Sequence, residues 1–200
     1  SLIFISHRNL SSTVILKSSY IERNIGMSIL NDILKTNAGS IFRTRRNHAL
    51  EHATLRVLGE RNHRQLLAGY SDPRGFWIAG KVDTEELASA VQEARTRLLN
   101  GEHELAIHPN CGTNFATSGV LAGGVAWLAM LGVGKGWQKK LDRLPLVISL
   151  VTLALVIAGP LGPRVQRQLT TDANLGSLKV TTITVSERNG APLHRIHTCD

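Results

Sequence analysis

Between residues 83 and 101 the apolar positions recur at helical spacing, with Leu87, Ala90, Val91, Ala94 and Leu98 on one face. Asp83 and Glu86 form an Asp-x-x-Glu box at its start, and Asn100-Gly101 supplies its exit. The same spacing predicts a helix over 45–58, with Leu50, Val57 and Leu58 on the apolar side, Thr44 as cap and Gly59 as stop. Between these helices, Asp72-Pro73-Arg74-Gly75 separates two short apolar runs and predicts a hairpin of residues 65–70 with 75–79. The stretch ELAIH, 104–108, reads as another strand. Residues 75–108 would then form a strand, helix, strand unit with parallel strands and a right-handed crossover.

The pattern changes after residue 115. Ala116–Val133 and Leu144–Leu161 contain no charged residue, and each is about as long as a bilayer-spanning helix, roughly 17 to 20 residues. A basic turn, KGWQKKLDR, separates them. Two buried core helices are the alternative, but the pairing of two such runs around a basic turn predicts a transmembrane helical hairpin. Gly119 and Gly123 form a G-x-x-x-G pair suited to close helix approach. After Arg164 and Arg167 the chain becomes polar, and β-branched residues flank Asn189-Gly190, the signal of a two-residue hairpin loop. That loop sets Ile183 opposite Ile196 and Val185 opposite His194, in a hairpin expected to join the earlier sheet. Near the start, Ile29, Leu30, Ile33 and Leu34 after Met27 predict a short amphipathic helix, on the core or on a membrane surface.

Together these elements predict an α+β fold: a small mixed sheet with two or three helices, plus a two-helix transmembrane hairpin. The expected organisation is an upstream extension or tail over 1–26, the N-terminal α/β part over 27–115, the hairpin over 116–161 and a C-terminal β-hairpin over 162–200. The first 26 residues lack a continuous apolar run of the secretory type, which favours a multi-pass membrane protein whose soluble part faces the cytoplasm.

Charge adds a question of partners. The 200-residue chain carries a formal charge of +8, much of it in Arg43, Arg45, Arg46, Arg56, Arg61 and Arg64. Aromatic residues make up only 4% of the chain and none is interleaved with this cluster, so a base-stacking surface for nucleic acid is not expected. Lipid headgroups or plain solvation suit the cluster better. A protein partner, or a place as subunit of a membrane complex, is also compatible with the chain. The two cysteines, Cys111 and Cys199, are too few for a disulfide scaffold.

The strongest chemical pattern is His48-Ala-Leu-Glu51-His52. On a helix, His48 and His52 stack one turn apart and their imidazoles can converge on one ion. The spacing is H-x-x-E-H, in which two histidines bind zinc and the adjacent glutamate, here Glu51, is general base on the bound water. HPNCGTN, 108–114, offers His108 and Cys111 as further ligands from a turn. Equally, His108 would cap a strand end and Cys111 would be a small buried hydrophobe; a nucleophilic Cys111 with a histidine base is a third option. His63 and His103 lie in polar surroundings. His197 and Cys199 share one face of the last strand near the chain end. GVGKG lacks the first glycine of a phosphate loop, since Ala129 stands there.

NHALEHAT, GFWIAGKVDTEEL and HPNCGTN, in this order and followed by two apolar helices, resemble a family of small, functionally uncharacterised bacterial integral membrane proteins, from about Met27 to the C-terminus. The resemblance implies a membrane protein and assigns no activity. Residues 48–52 alone resemble inverted zinc proteases. Those enzymes take a further glutamate ligand from a later helix; Glu85, Glu86 and Glu93 lie on the crossover helix, and none stands out as its equivalent. Two functions are therefore expected from the residues. One is a zinc-dependent hydrolase or peptidase with His48, His52, His108 and Cys111 as ligands and Glu51 as base. The other is a non-catalytic membrane subunit or scaffold in which the same side chains hold a structural metal or a hydrogen-bonded polar site.

Overall fold

A computed structural model describes residues 39–63, 66–188 and 190–200. The amphipathic segment after Met27, the 1–26 extension, Arg64, the first residue of the expected 65–70 strand, and Asn189 lie outside the described residues. The compact unit Phe42–Asp200 is α+β. In chain order the described elements are α1 (residues 39–61, of which 42–61 belong to this unit), β1 (Ala68–Asp72), β2 (Gly75–Ala79), α2 (Thr84–Leu99), a 3-10 turn (His103–Ala106), α3 (Gly112–Met130), α4 (Trp137–Val165), a π-helical turn (Gln166–Thr170), β3 (Lys179–Arg188) and β4 (Ala191–Cys199).

Helix α2 follows its sequence pattern. The Asp83 side chain accepts from the Glu85 and Glu86 amides, and Leu87, Ala90, Val91, Ala94 and Leu98 are buried. Helix α1 is longer than its pattern predicts: Thr44 lies inside it and Gly59 does not end it. Its Leu50, Val57 and Leu58 are buried as expected, joined by Ala49 and Ala53. This burial supplies the packing that offsets glycine's cost of roughly 1 kcal/mol in a helix.

Among the described residues the sheet has four strands in the order β1-β2-β4-β3. Every pairing is antiparallel, so the sheet is not mixed. The first hairpin is tighter than expected, with Asp72 paired to Gly75 and the Asp72 carboxylate accepting from the Arg74 amide. β4 pairs with β2, and Ile183 stands opposite Ile196 and Val185 opposite His194. The expected strand at 104–108 does not exist; its first residues form the 3-10 turn, and no parallel crossover is built. Consecutive Leu105 and Ala106 are both buried, which a strand with one solvent-facing side cannot achieve. The place beside β2 belongs to β4 instead. The core fills the space between sheet and helices with Phe76, Ile78, Ile196, Leu50, Leu87 and Leu98.

Helix α3 starts before the uncharged run 116–133 and ends at Met130, short of the run's end, while α4 extends beyond both ends of the run 144–161. Among the described residues only one helix, over Trp137–Thr170, is long and apolar enough to cross a membrane. The expected pair of spanning helices is thus reduced to one candidate. Asn114, Thr113 and the glycines of α3 (Gly112, Gly119, Gly123, Gly124) dilute its apolar character. The G-x-x-x-G pair is not where close approach occurs: a Cβ at Gly119 or Gly123 would meet nothing within 4 Å, whereas one at Gly162 would lie 2.5 Å from Asn114 Oδ1. The buried positions of α4 are Ala154, Ala158 and Gly162, four residues apart. Gly162→Leu is therefore expected to cost about 1 to 3 kcal/mol by overpacking, while Gly119→Ala and Gly123→Ala, which gain helix propensity, should be neutral or stabilising. Thermal unfolding of the three variants in detergent separates these outcomes.

The described basic side chains of the arginine cluster are tied within the fold. Arg43 and Arg46 pair with Asp200 at 3.1 and 2.9 Å, and Arg45 donates to the carbonyls of Gln168 and Thr171. Arg56 donates to the carbonyls of Glu104 and Ile107, and Arg61 pairs with Glu93 at 2.6 Å. They join α1 to segments distant in sequence.

Candidate metal centre

His48 and His52 lie one turn apart on α1, with ring centroids 4.2 Å apart. Each ring is held by a main-chain carbonyl. His48 Nδ1 lies 3.0 Å from the oxygen of Thr170, and His52 Nδ1 lies 2.7 Å from that of Ala106. A carbonyl only accepts, so Nδ1 carries the proton in both rings and each Nε2 keeps its lone pair when the ring is neutral. The irregular turns make this possible: the π-helical turn after α4 ends at Thr170, and the 3-10 turn ends at Ala106.

Cys111 is the N-cap of α3, and its sulfur accepts from the Thr113 amide. Cys111 Sγ lies 3.5 Å from His48 Nε2. Donor atoms of His48, His52 and Cys111 all lie within 4.8 Å of one another, so small side-chain adjustments would bring them to the roughly 3.3 to 3.8 Å separation that bonds of about 2.0 to 2.3 Å impose around a tetrahedral ion. The turn carrying Cys111 is fixed by Gln166, fully buried, which accepts from the His108 amide and donates to the His108 carbonyl and Asn114 Oδ1.

Burial would raise the Cys111 thiol, but hydrogen bonds from His48, His52 and Thr113 outweigh it and bring it down to about 5. Burial lowers His48 in turn, yet the contact with Cys111 and the charge of Glu51 leave it raised overall. The proton therefore favours the imidazole over the sulfur.

Glu51 is buried on the same helix, and burial holds its carboxyl above the ordinary range despite the hydrogen bond from Ser71. It lies directly against β1: a Cβ at Gly69 would sit 2.1 Å from Glu51 Oε1. Gly69→Ala should thus displace the Glu51 carboxylate while leaving His48, His52 and Cys111 in place. A crystal structure of this variant, or loss of the raised carboxyl titration, checks it.

His108 differs from the other three residues expected as ligands. Its ring is 5.6 Å from that of His52, but its Nδ1 accepts from the Asn110 amide, leaving the proton on Nε2 in the neutral ring. Burial and the charges of His52 and Arg56 lower it to about 4. It stands beside the donor group, outside the converging set. Glu93 is turned away in ion pairs with Arg61 and Arg97. His63 and His103 are exposed, and His197 with Cys199 belongs to no metal-sized cluster among the described residues. The carbonyls of Thr170 and Ala106 and the role of Gln166 had no sequence signal, because a main-chain group is set by conformation and not by residue type.

These side chains open on a cleft of about 390 Å³, lined by Glu51, Tyr70, Ser71 and Thr113 as well as the donors. The three side chains offer two nitrogens and a sulfur, a donor set for a transition metal and not for the hard cations calcium or magnesium.

Over 162 residues the chain is 35% identical to an uncharacterised protein of Picosynechococcus sp. (strain ATCC 27264 / PCC 7002 / PR-6), a match covering 75% of this chain and 76% of the relative. No solved structure matches the chain. The model of a family described as a domain of unknown function (DUF6391) matches residues 43–183, a stretch holding His48, Glu51, His52 and Cys111 together with both long apolar helices, and the chain belongs to that family.

Proposed function

We propose that this protein is a zinc-dependent hydrolase held at a bilayer by α3 and α4, with His48, His52 and Cys111 as ligands and Glu51 as general base. One observation carries the reading: both imidazoles are oriented through Nδ1 by main-chain carbonyls, so that two Nε2 atoms and a cysteine sulfur converge in an open cleft beside a buried carboxylate. Such outer hydrogen bonds are how histidine ligands are fixed in tautomer and direction. Three protein donors facing a cleft suit a centre that keeps a position for water, where a structural zinc is closed by four. Zinc, when bound, would lower the pKa of that water and polarise a carbonyl. Glu51 would take the water's proton and deliver it to the leaving group.

The membrane part of the reading rests on surface. Phe115, Val120 and Trp127 of α3 and Ile148, Leu153 and Val156 of α4 are all exposed, far more apolar area than a soluble surface normally shows. The 29 residues of α4, at about 1.5 Å each, more than cover a hydrocarbon core of ~30 Å. In this reading α3 is carried into the bilayer by its packing on α4. The free thiols Cys111 and Cys199 are compatible with a reducing compartment, and in this reading the α+β part faces the cytoplasm; a reporter fused after Asp200 that is active only outside the cell overturns that orientation.

Elemental analysis of the detergent-purified full chain tests the centre. About one zinc per chain is expected, lost in His52→Ala and in Cys111→Ser. A second reading is favoured by the position of Cys111 as N-cap 3.5 Å from His48: a thiol nucleophile with His48 as base. Both readings share one outcome in metal-free protein. Iodoacetamide labelling of Cys111 should rise as pH climbs through about 5 and vanish in Cys111→Ser. They part on metal: an activity without zinc that survives chelators and is abolished by iodoacetamide selects the thiol.

A further inference from the structure

We infer that the substrate is an extended, uncharged polypeptide segment that pairs through its main chain with the outer edge of β1, where no further strand lies among the described residues, and so crosses the metal centre. β1 is an outer strand of the sheet, and Leu67, Ala68, Gly69, Tyr70 and Ser71 line the same cleft as His48, His52 and Cys111. An outer strand presents alternate N–H and C=O groups that a further strand can satisfy. Gly69 lets the Glu51 carboxylate lie against this strand, so the base sits beside whatever main chain is added there. The five residues of β1, at about 3.3 Å each, match a segment of similar length.

The lining also selects chemistry. Among the described residues that border the cleft there is no lysine or arginine, so beyond the metal itself a phosphoester or a carboxylate-bearing substrate finds no side-chain counter-ion. Leu55, Leu67 and Tyr70 offer apolar contact instead. Cleavage rests on the hydrolase reading: the peptide C–N bond breaks, a C–O bond forms from water, and Glu51 returns the water's proton to the amine nitrogen. Strand pairing itself does not depend on that reading.

The probe is an acetylated, amidated Ala-Leu alternating octapeptide carrying a fluorescent label, bound to the full-length Glu51→Gln chain in detergent and followed by anisotropy. A series methylated at one amide nitrogen at a time is the diagnostic. Methylation of alternate amides should weaken binding at least tenfold and methylation of the intervening ones little, the period-two signature of a β-ladder. No binding, or a loss that does not alternate, overturns the inference. Zinc content measured on the same sample keeps the two proposals apart. Zinc present without alternation sinks only the strand pairing, and alternation without zinc sinks only the metal reading.

Discussion

Replacing Glu51 by glutamine is expected to leave about one zinc per chain and to slow hydrolysis of the Ala-Leu peptide by about 10²- to 10⁴-fold, the range for removal of a positioned general base. Glutamine keeps the size of the side chain and a group that can meet the Ser71 hydroxyl. It cannot accept a proton from water. The wild-type pH profile should carry the same residue's mark. Burial holds the Glu51 carboxyl above the ordinary carboxylate range, and a base works only when deprotonated. A bound zinc beside it would draw the carboxyl back down, so the rate should rise with pH as Glu51 deprotonates and be lost at lower pH, with the midpoint higher in metal-free protein than in the loaded enzyme. Full turnover in Glu51→Gln, measured by peptide cleavage beside zinc analysis, would remove Glu51 from the mechanism.

Phe76→Ala should be the most destabilising of simple core substitutions, by about 3 to 5 kcal/mol. Among the described residues Phe76 is the largest fully buried side chain and lies on β2, opposite Ser71 of β1 on one side and Ile196 of β4 on the other. Truncation removes contacts to both neighbours and leaves a cavity that a paired sheet cannot close. For a chain of this size the fall in melting temperature is about 6 to 20 °C, read by thermal unfolding in detergent. Because Ser71 stands across from Phe76 and bonds Glu51, the site should loosen with the core. A change under 1 kcal/mol would show that the sheet repacks freely.

What could be read in advance was local. Asp83 with Glu86 and the apolar stripe from Leu87 to Leu98 fixed α2, because caps and spacing act within one element. The Asn189-Gly190 loop set the register of Ile183 against Ile196, since a two-residue loop leaves one pairing. His48 and His52 were legible together for the same reason, being one turn apart on a helix. Contacts between elements were not legible. The place of ELAIH depended on whether β4, nearly a hundred residues later, would take the position beside β2. Gly119 and Gly123 carry a packing motif, yet the face that α3 turns to α4 is decided by Asn114 against Gly162. His108 was an eligible ligand by residue type, and only the Asn110 amide at its Nδ1 sets it aside. Cys111 belongs to the group because Gln166 holds its turn, a bond across 58 positions of the chain.

The carbonyl of Thr170 that steadies His48 belongs to the turn closing α4, and Cys111 belongs to the cap opening α3. The two ends of the helical pair thus hold Cys111 in its place beside His48 and supply the carbonyl that orients His48. A trimmed, water-soluble fragment made by excising the two apolar helices would keep an intact-looking H-x-x-E-H motif and lose the means to use it.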